Sequence, residues 1–146
     1  MVSNKIRITS DELRYIALFE SVTGATAKDC IIDDKSNRII LIINSGDIGL
    51  AIGHGGANIK LVKNMIGRNV EIVEYADDPT AFIKNSLAPA KINEVRVNEK
   101  PDGKKVALVT VSPQDKGIAI GKNGKTAERA RFLMKRYFQI DNVVIT

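Results

Sequence analysis

The chain has one cysteine, no tryptophan and only seven other aromatic residues in 146. A lone Cys30 can form neither an intrachain disulfide nor a thiolate metal cluster, so a reducing, cytoplasmic setting is expected. No apolar run approaches the ~18 residues of a membrane span, and Met1–Ser10 lacks the apolar core of a signal peptide. With so few aromatic rings, reading of bases by stacking on an aromatic sheet face is not expected. His54 is the only histidine, and it has no carboxylate or serine partner in a catalytic pattern. The expectation is a non-enzymatic protein with no catalytic residues, metal, cofactor or small-molecule substrate.

What is present is uneven charge. Residues 1–75 hold nine Lys/Arg and nine Asp/Glu, whereas residues 76–146 hold thirteen and eight. The whole excess of +5 therefore lies in the second half, which suggests a polyanionic partner touched unevenly.

The chain also repeats itself at an offset of 68 residues. Asp47-Ile-Gly-Leu-Ala-Ile-Gly-His-Gly-Gly56 aligns with Asp115-Lys-Gly-Ile-Ala-Ile-Gly-Lys-Asn-Gly124, with six of ten positions identical. A β-branched run precedes each motif, and a helix-like stretch and a short strand-like run follow it. Two copies are too few for a solenoid and read as tandem domains, residues 1–76 and 77–146.

The same element order is legible in both halves. Ser10 can cap a helix whose apolar positions Tyr15, Leu18, Phe19 and Val22 share one face, and Gly24 suits its end. Strands are expected near 27–33 and 38–44, joined through Asp34-Lys35-Ser36-Asn37. A short helix near 46–52, the Gly53–Gly56 turn, a helix to Gly67 and a strand at 70–75 follow. The second half reads as a helix from Pro79 to Leu87, strands near 92–98 and 104–111, a short helix, and the Gly121–Gly124 turn. A helix to about Phe138 and a strand at 142–145 complete it. Each unit is thus an α+β sandwich in the order α-β-β-α-α-β, a three-stranded sheet with helices on one face.

Each glycine turn joins two helices and places the start of the longer one beside it. Backbone N–H groups there lack intrahelical partners and the helix dipole favours an anion. The gain is roughly 0.3–1 kcal/mol per charge, so useful affinity requires several phosphates, added cations or apolar contacts. Cations crowd the second copy: Lys116, Lys122, Lys125, Arg129, Arg131, Lys135 and Arg136. The matching window of the first copy offers only Lys60, Lys63 and Arg68. Ile48 with Ile52, and Ile118 with Ile120, are available to line a groove or fill the core, and alternation suggests that each pair divides between those tasks.

Other readings compete. Ala119-Ile-Gly-Lys-Asn-Gly-Lys-Thr126 fits a relaxed phosphate-loop pattern, which would make Gly124-Lys125-Thr126 a nucleotide site. Only twenty residues follow it, too few for the strands and metal-binding aspartate such a fold needs. Cys30 reads as a small buried residue, and Asp33, Asp34, Asp77 and Asp78 as turn and capping groups. Phe132, on a helical face with Lys125, Arg129 and Arg136, is open to two readings, packing against the first unit or contact with RNA, and core packing is preferred.

The paired I-G-x-x-G turns resemble those of KH domains, and the element order resembles their type II form, whose G-x-x-G loop clamps a nucleotide backbone. Val73-Glu-Tyr-Ala-Asp-Asp-Pro-Thr-Ala-Phe-Ile-Lys-Asn-Ser-Leu-Ala-Pro-Ala90 is similar to the junction between the tandem KH domains of the archaeal-type NusA family. That resemblance implies a factor for transcription elongation, termination or antitermination that binds single-stranded RNA, with RNA polymerase or other transcription factors as further partners. By position, Gly53, His54, Gly55 and Gly56 would form the first RNA-contacting turn and Gly121, Lys122, Asn123 and Gly124 the second. Lys60, Lys116, Lys125 and Arg129 would supply cations. The first turn departs from the family pattern, with Gly55 inside it and no Lys or Arg, which implies a weaker hold on phosphate. Bacterial relatives carry polymerase-binding and OB-type domains without counterpart in these residues. A ribosome-associated KH protein and a protein-interaction scaffold remain the rival readings.

Overall fold

The computed structural model describes residues 6–146. They form two compact units, one of Arg7–Tyr75 and the other built on Ala76–Thr146. The first runs α1 (Ser10–Thr23), β1 (Ala27–Asp33), β2 (Arg38–Ile43), α2 (Ile48–Ile52), α3 (Ala57–Ile66) and β3 (Asn69–Glu74). The second runs α4 (Pro79–Ser86), β4 (Ile92–Glu99), β5 (Lys105–Val111), α5 (Pro113–Ile120), α6 (Lys125–Phe138) and β6 (Asn142–Ile145). Both follow the α-β-β-α-α-β order read from the sequence. Each sheet is mixed: β1 pairs antiparallel and β3 parallel with a central β2, and β4 and β6 flank β5 in the same way.

The first helix is capped one residue earlier than expected. Thr9, not Ser10, is the N-cap: its hydroxyl accepts from the Glu12 N–H, and the Thr9 N–H donates to the Glu12 carboxylate at 2.7 Å. Only Thr9 has a glutamate three residues on, so only Thr9 can close this reciprocal box. Gly24 ends the helix at φ 75° as expected. Ile16 and Phe19 of α1 then meet Cys30, Ile39, Leu41 and Ile43 of the sheet and Val62 of α3 in the core. Every residue of β2 is buried, including Arg38. Its guanidinium is held by Asp33 at 2.8 Å and Glu71 at 3.1 Å, which tie the hairpin to β3. Burial pushes the Asp33 carboxyl up, but hydrogen bonds from Arg38 and from the Ser36 N–H outweigh it and hold it below the ordinary value.

The second unit has a shorter opening helix. Asp78 caps α4 through the Ala81 N–H, with Pro79 in the first turn. Phe82 is fully buried and meets Tyr137 and Phe138 edge-on, with centroids 5.4 and 6.1 Å away. Thus α4 packs chiefly on α6, and the outer strand β4 remains largely exposed. No helix of the described residues is long and apolar enough to cross a membrane.

Candidate nucleic-acid interface

Each short helix ends at a glycine and turns through a single 3₁₀ turn into the longer helix. The two turns have nearly the same backbone. Gly53 lies at φ 76°, ψ 174° and Gly121 at φ 80°, ψ 169°. The third position is left-handed in both, Gly55 at φ 61° and Asn123 at φ 57°. Asparagine is among the few residues that tolerate this conformation, so the two sequences reach one geometry.

Sterics fix the first glycine of each turn. A Cβ on Gly53 would stand 2.9 Å from the backbone nitrogen of Asn58, and one on Gly121 2.9 Å from that of Thr126. These separations leave no room for a side chain. At Gly55 and Gly124 a Cβ would meet nothing within 4 Å, and at Gly56 only the Lys60 side chain at 3.8 Å. The close approach therefore lies on the inner side of the turn, and its outer side is open.

That outer side is lined by backbone polar groups. Gly56 donates its N–H to Gly53 and Gly124 to Gly121, at 3.2 and 3.1 Å. No side chain caps either turn, whose outward residues are His54, Gly55, Lys122 and Asn123. All four residues are exposed. Neither α3 nor α6 has a side-chain N-cap, in contrast to α1 and α4. Open N–H groups at a helix start can hold an anion.

The cations divide into two sets that their count in the sequence does not separate. Lys116 and Lys122 are exposed, and Lys125 stands half-buried at the start of α6. Lys60 lies beside the first turn. Arg129 is a correction: it is 9% exposed and its guanidinium donates to the Ser86 carbonyl at 2.8 Å, closing the end of α4. Its guanidinium is thus committed to the fold. Arg131 donates to the Val143 carbonyl, Lys135 binds Asp141, and Arg68 binds Asp34. Hydrogen bonds from Lys135 and from the Lys105 N–H hold the Asp141 carboxyl below its ordinary value.

Of the two apolar pairs, one follows expectation and one does not. Ile48 packs partly into the first core and Ile52 is 42% exposed, so that pair divides. Ile118 and Ile120 are both exposed, at 47% and 37%, because α5 turns only Ala119 inward. Leu50, which sequence reasoning did not single out, is exposed in the position equivalent to Ile118. Each turn is thus bordered by two outward aliphatic side chains. Phe132 is 47% exposed rather than core, because Ala127, Ala130, Leu133 and Met134 fill the inward side of α6. The phosphate-loop reading fails on context: a helix, α5, precedes Gly121 where that motif requires a strand.

Two such turns, each between helices on a three-stranded mixed sheet, define a tandem KH-domain protein. The KH domain model matches residues 13–77, and the NusA-like second KH domain model matches residues 79–144. A probable transcription termination protein NusA from Halococcus morrhuae is 39% identical over 139 residues, covering 95% of this chain and 97% of that one. The protein of the same description from Methanocaldococcus jannaschii is 36% identical over 142 residues, covering 97% and 75%. The crystal structure of APE1850 superposes with a TM-score of 0.84 at 45% identity, covering 95% of this chain and all of that one. The chain belongs to the archaeal-type NusA family.

Proposed function

We propose that the chain is a cytoplasmic, NusA-type factor that binds single-stranded RNA during transcription elongation, termination or antitermination. Residues 1–76 and 77–146 act as its two KH domains, and each G-x-x-G turn grips the sugar-phosphate backbone. RNA polymerase or other transcription factors are its protein partners. The observation that carries the reading is the pair of exposed turns with the same backbone and no side-chain cap. The relatives' description as transcription termination proteins supports the setting. Lys116, Lys122 and Lys125 neutralise phosphates at the second turn, and Lys60 does so at the first. The aliphatic side chains beside the turns, Leu50 and Ile52, Ile118 and Ile120, border the bases. Lys122→Asp combined with Asn123→Asp should weaken affinity for short single-stranded RNA about 10- to 100-fold, the range of lost hydrogen bonds to charged groups. A folded variant that binds like the parent removes the second turn from the mechanism. Co-purification with ribosomes instead of polymerase would move the protein to ribosomal RNA.

A further inference from the structure

Phe132 is the one exposed aromatic ring of the seven in the chain. Phe19 and Phe82 are fully buried, and the other four rings are partly covered. The inward side of α6 is complete without Phe132, so its ring forgoes burial that would favour folding. Its surroundings are mainly cationic, with one acid, the exposed Glu128, a turn earlier on the same face. The Arg136 guanidinium carbon lies 6.0 Å from the ring centre, and Lys125 returns to the same helical face two turns earlier. The equivalent residue of the first unit is Asn64, so the feature belongs to the second unit alone.

We infer that Phe132, flanked by Arg136, is a stacking platform for a base of single-stranded RNA lying beyond the second turn. This rests on the RNA-binding reading and extends its footprint along α6. A flat apolar ring bordered by positive charge matches a ligand that offers a π face and a phosphate at every step. Lys125 opens α6 at the second turn, and Phe132 stands about 10 Å further along the helix. A strand held at the turn reaches it within a few nucleotides. Stacking here uses a helix face, so the scarcity of aromatic residues on the sheets does not oppose it.

The absence of tryptophan supplies a direct probe. Phe132→Trp in the full chain should keep parental affinity for short single-stranded RNA, and its emission should be quenched as RNA saturates it. Phe132→Ala should weaken binding roughly 5- to 100-fold. The salt slope should be unchanged, because stacking releases no counterions. Parental affinity of Phe132→Ala, or unchanged emission of Phe132→Trp at saturation, would overturn the platform. A role for this ring in docking a protein would give that same result. The Lys122→Asp/Asn123→Asp variant separates the two claims. If it loses RNA while Phe132→Ala keeps it, the platform is wrong and the turn stands; the opposite pattern rejects the turn and retains the platform. Should Phe132→Ala lower the melting temperature, the tryptophan quench decides.

Discussion

The two units carry turns that match in backbone and differ in side chains. Gly53 and Gly121 are held by the same close approach to a helix nitrogen, and Gly55 and Asn123 share the left-handed region. Outside that shell the units part. The first turn presents His54 and two glycines in a half of zero net charge, whereas the second presents Lys122 and Asn123 near Lys116 and Lys125. The difference separates two contributions to holding a phosphate chain. On the proposed reading, backbone geometry offers the turn to phosphate in both units, and cations would decide how strongly each is occupied. At roughly 0.3–1 kcal/mol per charge at an exposed helix end, a few lysines are enough to rank the two sites.

The largest effect should come from removing the geometry itself. Gly121→Ala drives a Cβ against the Thr126 nitrogen and imposes a positive φ on alanine, at a cost of about 2 kcal/mol or more. RNA affinity of the full chain should fall by at least an order of magnitude, read by fluorescence anisotropy. Gly53→Ala has the same steric cost and should lower affinity less if, as proposed, the first turn holds less of the strand. Equal losses from both would erase the proposed ranking.

A smaller, opposite effect sharpens the comparison. His54→Lys with Gly55→Asn rebuilds the first turn as the second. Affinity should rise about two- to fivefold. The dependence of log affinity on log salt should steepen by about 0.7, one more neutralised phosphate on a single strand. A flat response would mean that phosphate does not reach the first turn.

The smallest effect concerns acid stability of the first unit. Asp33 is held below the ordinary value near 3.8 by Arg38 and the Ser36 N–H. A depressed folded-state value contributes stability that is present above the unfolded value and is lost as pH falls through the lowered one. The melting temperature of the parent should therefore drop below about pH 4 more steeply than that of Asp33→Asn. Parallel profiles would show that this carboxylate adds nothing.

Much of this was legible in the sequence, for physical reasons that also mark its limits. The β-branched runs and the 68-residue repeat fixed the strands and turns to within a residue or two, because periodicity and glycine punctuation are local signals. The direction of side chains on helices was less accessible. Arg129 looked like one more surface cation, yet its guanidinium turns inward to the Ser86 carbonyl, a partner 43 residues away. Ile118 and Ile120 looked divided between core and surface, but a helix as short as α5 needs only Ala119 to meet the core. For Phe132 the sequence left packing and RNA contact both open and favoured packing, whereas two alanines, Leu133 and Met134 already fill the inward side of α6. The N-cap itself is legible in the Thr9-x-x-Glu12 box, which outranks an adjacent serine.

The most direct test is to follow backbone amide resonances while a short single-stranded RNA is titrated into the intact chain. The N–H signals of Lys122 and Asn123 should move first and furthest, with those of His54 and Gly55 responding at higher RNA. Saturable binding that leaves all four amides in place would contradict the account, because the strand would then be held elsewhere on the molecule.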